Sequence, residues 1–106
     1  CGRRDSRIAG VALRETLELT CDVSAHPTGL SFHWIFNSSG QDVRNLHEFE
    51  SNGTRSVLEY TPETQRDYGT ILCVANNEVG RQREPCVFHV IPAGKSVPSR
   101  IMSKML

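Results

Sequence analysis

The side chains in this sequence that could do chemistry are four histidines, a spread of carboxylates and four cysteines. His26, His33, His47 and His89 could bind a metal or act as general bases. None has a metal-ligand partner at i+2 or i+4, and none lies in a nucleophile motif such as G-x-S-x-G. Glu18, Asp22 and Glu59 fall on outward positions of separate alternating segments, so no carboxylate pair for glycoside hydrolysis is expected. No glycine-rich loop is built to cradle a phosphate. The expectation is therefore no enzyme, no cofactor and no bound metal. Cys1, Cys21, Cys73 and Cys86 contain no C-x-x-C pair, which argues against a zinc finger or a thioredoxin-type redox site. An even number of widely spaced cysteines fits two disulfides and an oxidising compartment. Two sequons, Asn37-Ser38-Ser39 and Asn52-Gly53-Thr54, agree with that and imply N-glycans at Asn37 and Asn52.

At 106 residues and 11.8 kDa, the chain has the size of one domain. With 38% hydrophobic and 23% charged residues it reads as neither a disordered tail nor a membrane bundle. Twelve basic side chains cancel twelve acidic ones, so the clustered positive charge of a nucleic-acid binder is missing. No run reaches the 18 or so apolar residues of a membrane span. The start, Cys1-Gly2-Arg3-Arg4, has neither Met nor an apolar signal core, so the chain reads as a piece of a larger protein.

The elements that must position these residues are short alternating runs. Leu17, Leu19, Cys21 and Val23 share one face, with Glu18, Thr20 and Asp22 on the other. After a turn at Pro27 and Gly29, Leu30, Phe32, Trp34 and Phe36 share a face, and Asn37 to Gly40 reads as a polar loop. Residues 41–54 are too polar to assign. Arg55 to Thr61 alternates again and should end at Pro62, which cannot donate to a ladder. Pro62 to Asp67 reads as a tight helical turn and Gly69 to Asn76 as a strand. Asn77 to Gly80 reads as a hairpin, and Cys86 to Ile91 as the last strand. No segment keeps a helical period over three turns. The class is all-β, and the strand spacing suggests a sandwich.

Cys21 stands 13 residues before Trp34, and Trp34 stands 39 before Cys73. Together with Asp67-Tyr68-Gly69-Thr70-Ile71-Leu72-Cys73 and Cys73-Val74-Ala75-Asn76-Asn77-Glu78-Val79-Gly80, this resembles an intermediate-set immunoglobulin domain. The resemblance implies a Greek-key β-sandwich of two antiparallel sheets over 1–94; residues 95–106, rich in Ser, Pro and basic side chains, are expected to lie outside it as a linker or disordered tail. It also implies a Cys21–Cys73 bridge between the sheets and a core of Leu19, Phe32, Trp34 and Phe88. Ile71 departs from the pattern where the family has its corner tyrosine, so that corner is expected to be held by packing. A narrower resemblance rests on Cys1, Gly10-Val11-Ala12, Phe32-His33-Trp34 to Asn37-Ser38, and Pro85-Cys86-Val87-Phe88-His89-Val90-Ile91-Pro92-Ala93-Gly94. These look like an immunoglobulin domain of the Sidestep family, insect axon-guidance proteins recognised by the Beaten path family.

Given the Cys21–Cys73 bridge, Cys1 and Cys86 remain for a second one, and in such a sandwich the first strand runs beside the last. The competing arrangement, in which Cys1 bonds another module and leaves Cys86 unpaired, stays open. With Trp34 and Cys73 facing inward, alternation turns Ile35, Leu72 and Val74 outward on the same sheet as His33. Val87, His89 and Ile91 join them if Phe88 and Val90 fill the core. A neutral aliphatic face of this kind suits contact with another protein, although a glycan or a neighbouring segment could cover it. The expected function is an extracellular module of a cell-surface adhesion or axon-guidance receptor that contacts other cell-surface proteins or spaces binding domains. The alternative is a structural repeat of an extracellular-matrix or muscle protein.

Overall fold

A computed structural model describes residues 6–23, 31–38, 42–76 and 85–93. Eight strands and one short 3-10 turn follow the alternation of the sequence: β1 Ser6–Val11, β2 Leu17–Asp22, β3 Ser31–Ser38, β4 Asp42–Leu46, β5 Phe49–Asn52, β6 Arg55–Tyr60, the turn Gln65–Asp67, β7 Gly69–Asn76 and β8 Cys86–Pro92. They build two sheets, one ordered β1-β8-β7-β3-β4 and the other β2-β6-β5. All pairings are antiparallel except β1 with β8, which run parallel along one edge. Cys1, Pro27, Gly29, Leu30, the Asn77–Gly80 hairpin and the tail 95–106 lie outside the described residues.

The core is what strand alternation delivers when both inner faces meet. Leu19, Cys21, Phe32, Trp34, Phe36, Leu58, Ile71, Cys73, Cys86, Phe88 and Val90 are all buried. Cys21 bonds Cys73 across the sheets with Cα atoms 6.4 Å apart, inside the usual range for a bridge. Trp34 stacks on Phe88 with ring centroids 5.9 Å apart. Its indole N–H donates to Ser56 Oγ at 2.8 Å, and Ser51 Oγ lies 3.0 Å from the same hydroxyl. Ser56 is fully buried, so this network supplies the partner an enclosed indole requires.

Two expectations need correction, and the unassigned stretch 41–54 resolves into strands. Asn37 and Ser38 are not loop residues; they extend β3, pairing with Thr70 on one side and with Val43 and Asp42 on the other. Residues 41–54 contain β4 and β5, closed onto β6 by a two-residue turn in which Gly53 takes φ +65°. Glycine at the first central position of such a turn meets no steric penalty. The corner beside Ile71 is not held by packing alone: Tyr60 Oη donates to the Asp67 carbonyl at 2.6 Å, and Tyr68 Oη to the Val11 carbonyl at 2.8 Å. Both hydroxyls come from neighbouring positions rather than from residue 71, so the corner keeps its hydrogen bonds by another route.

Candidate protein-binding face

The two outer surfaces of the sandwich differ in chemistry. On the five-stranded sheet, the cross-strand registers set Ile35 beside Leu72 and Leu72 beside Val87, a row of aliphatic side chains over three strands. His33 and Val74 pair in the next row. On the other side of the aliphatic row, Val43, Asn37, Thr70, His89 and Ile8 form a continuous line from β4 to β1. Thr70 Oγ1 lies 3.3 Å from His89 Nδ1, which lays that imidazole along the sheet. The structure thus brings His33, Ile35, Leu72, Val74, Val87 and His89 onto one face. Ile91 joins at the margin. No Asp, Glu, Lys or Arg interrupts these rows.

Alternation from Trp34 and Cys73 identifies six of these residues. It misses Ile8 and Val43, which are 68% and 62% exposed and frame the face at its two edges. Ile8 follows only from the parallel pairing of β1 with β8, and Val43 only from β4, whose residues carry no readable period.

The three-stranded sheet is the opposite. Glu18 and Glu59 are direct cross-strand partners, with Glu48 just before β5 and Glu50 on β5 beside them. With His47, Phe49 and Val57 they line a shallow groove of about 440 Å³. Carboxylates that are scattered in sequence therefore meet here, because register places residues that spacing keeps apart. Like charges directly opposite one another oppose folding slightly and attract nothing by themselves. Asp22 leaves this group, pairing with Arg55 at 3.1 Å. Among the described residues, no three His, Cys, Asp or Glu side chains are placed to hold a metal ion. No helix among them is long and apolar enough to cross a membrane.

Arg44 closes one end of the core. Its guanidinium sits 4.4 Å over the Phe36 ring, 3.2 Å from Asp67 Oδ1 and 3.4 Å from Tyr60 Oη. Burial opposes ionisation of Asp67. The Glu63 and Thr64 amides and Arg44 outweigh that penalty, and together they hold its carboxyl below the usual carboxylate range. At the other end, Cys86 is disulfide-bonded and fully buried, with its sulfur 3.3 Å from that of Cys21.

Residues 4–77 match the sequence family described as Immunoglobulin domain. A stretch of 76 residues, 72% of this chain, is 36% identical to "Peroxidasin homolog pxn-2" of Caenorhabditis elegans. It spans only 5% of that relative's length. Among solved structures, the fold is similar to the M1 domain from titin, with a TM-score of 0.64 at 16% identity, over 84% of this chain and 89% of that one. The Dscam1 Ig7 domain, isoform 5, superposes with a TM-score of 0.60 at 19% identity, over 76% of this chain and 82% of that one.

Proposed function

Because the chain belongs to the immunoglobulin domain family, we propose that it is an extracellular module of a cell-surface adhesion or axon-guidance protein, and that it recognises another protein through the outward face of the five-stranded sheet. The supporting observation is the uncharged aliphatic row Ile35–Leu72–Val87 between the His33–Val74 and Thr70–His89 pairs. A partner can bury such a face without stripping water from any carboxylate, ammonium or guanidinium. The similarity to the Sidestep family names the finer reading: the parent is a single-pass surface protein, and the partners are immunoglobulin proteins of the Beaten path type. A bridge buried between the sheets and the two sequons suit the secreted side of a cell. The second reading is a spacer or structural repeat in which the face binds nothing.

Glycan-free chain made in a bacterial periplasm, presented to a panel of Beaten path ectodomains on a biosensor, separates the two. Recognition predicts binding by at least one ectodomain and a loss of about tenfold or more in Leu72→Glu, which forces an unpaired carboxylate into the contact. Glu50→Gln, on the other sheet, should bind as the parent does. No binding by any ectodomain leaves the spacer reading.

A further inference from the structure

The sequon at Asn37 and the aliphatic face meet at one place in the fold. Trp34 and Phe36 point inward, so alternation turns Asn37 outward beside Ile35. Register sets Asn37 between Val43 and Thr70, one row from Ile35 and Leu72. Directly paired side chains in such a sheet have Cβ atoms about 5 Å apart, and diagonal neighbours about 7–8 Å. A sugar linked to Asn37 therefore starts in the outer row of this face, directly beside the aliphatic row. We infer that the occupant of this face in the secreted protein is the chain's own N-glycan on Asn37, lying across Ile35, Leu72 and Val87.

The chemistries match. A pyranose ring offers a face of C–H groups and a rim of hydroxyls, so it can rest its apolar side on aliphatic side chains and keep its hydroxyls in water. Among the described residues, the rows of this face hold no carboxylate, ammonium or guanidinium for a neutral sugar to desolvate. Attachment precedes folding of the secreted chain, so the half-buried position of Asn37 in the sheet is no bar to it. Asn52 provides the contrast: it is exposed, at the β5–β6 turn of the other sheet, so its glycan points away from this surface. The consequence for binding rests on the reading above: chains glycosylated at Asn37 act as spacers, and chains bare at Asn37 recognise a partner.

The test needs no partner. Chain secreted from insect cells is mapped by intact-glycopeptide mass spectrometry, then labelled by hydroxyl radicals as the parent, Asn37→Gln, Asn52→Gln and Ser39→Ala. The last variant removes the sequon and keeps Asn37. The expected result is sugar on Asn37 and several-fold higher labelling of Ile35, Leu72 and Val87 in Asn37→Gln and Ser39→Ala, with Asn52→Gln like the parent. Enzymatic removal of the glycan from the folded parent should raise labelling equally, which guards against a variant that folds poorly. A bare Asn37, or equal labelling in all forms, overturns the inference. Labelling that rises while the bare chain binds no ectodomain supports the sugar cover and defeats the recognition reading instead.

Discussion

Asp67 accepts the Glu63 amide at 2.7 Å, the Thr64 amide at 3.2 Å and the Arg44 guanidinium at 3.2 Å, while its own carbonyl accepts the Tyr60 hydroxyl. Thr64 reciprocates by accepting the Arg66 amide, which completes a capping box around the 3-10 turn. The carboxylate is the charged form these donors favour, and for that reason its pKa lies below the ordinary value despite the opposing effect of burial. The sign of the pH dependence follows. A carboxyl with a folded-state pKa below its unfolded one stabilises the fold fully at pH above the ordinary carboxylate range. That contribution drains away as pH falls through the lowered folded value. Asp67→Asn, which keeps the shape and cannot ionise, should cost about 1–2 kcal/mol at pH 7 through the weakened cap and the lost charge on Arg44. As pH falls below the ordinary carboxylate range the gap between variant and parent should narrow. Urea unfolding at pH 7 and pH 3 checks this, and a gap of constant size would show that the charge on Asp67 contributes nothing.

Gly69, the first residue of β7, stands where a side chain would be crowded. A Cβ at this position would stand 3.1 Å from Phe36 Cζ, 3.2 Å from Phe36 Cε1 and 3.1 Å from the Asn37 carbonyl. Phe36 cannot swing aside: it is fully buried, stacked on Tyr60 and covered by Arg44. Gly69→Ala should therefore destabilise by on the order of 1–3 kcal/mol, the usual cost of overpacking. Gly10→Ala, whose new Cβ would meet only Ala93 at 3.6 Å, should be close to neutral in the same thermal or urea measurement. The elements that could be read from sequence are those with one wet and one dry face: β2, β3, β6, β7 and β8 alternate cleanly, and the turn ahead of β7 follows from Pro62. Strand β4 hid because one of its two inward residues, beside Leu46, is Arg44, which reaches the core through a ring face and an ion pair and looks like a surface residue in one dimension. The candidate face was legible where alternation could be counted from Trp34 and Cys73. It was illegible at Ile8, Val43 and Asn37, whose places depend on which strand lies alongside. The Glu18–Glu59 pair was hidden for the same reason, since register is a property of two strands and cannot be counted along one.

Over the whole molecule, β1 is the strand that carries the parallel edge of the five-stranded sheet. It pairs with a single neighbour, β8, at the sheet edge, and its exposed Ile8 adds nothing to the core. Val11 anchors its far end: the side chain is buried, and its carbonyl accepts both the Tyr68 hydroxyl and the Ala93 amide. At its near end the parallel register sets Ser6 opposite Val87, the neighbour of Cys86. A covalent tie would secure the strand at that end, and the sequence supplies Cys1 five residues before Ser6. The expected second bridge is Cys1–Cys86. Closing so long a loop contributes roughly 4 kcal/mol in the chain-entropy model, and less here because Cys21–Cys73, with a separation of 52 residues, already restricts the unfolded chain. Cys86 meets Cys21 sulfur to sulfur at 3.3 Å, which governs how the bridge must be tested. A free Cys86 thiolate would be in contact with a sulfur of the first bridge and could attack it, releasing Cys73 and forming Cys21–Cys86. Removing Cys1 alone therefore invites exchange, and Cys1→Ser with Cys86→Ser is the clean variant. It should fold with Cys21–Cys73 intact and melt at a lower temperature, and the peptides of β1 should lose hydrogen-exchange protection before those of β3 and β7. Peptide mapping of the parent, digested without reductant in acid to prevent exchange, should join the Cys1 peptide to the Cys86 peptide. A Cys1 peptide linked to any other cysteine defeats the assignment, whatever the melting temperature of the double variant.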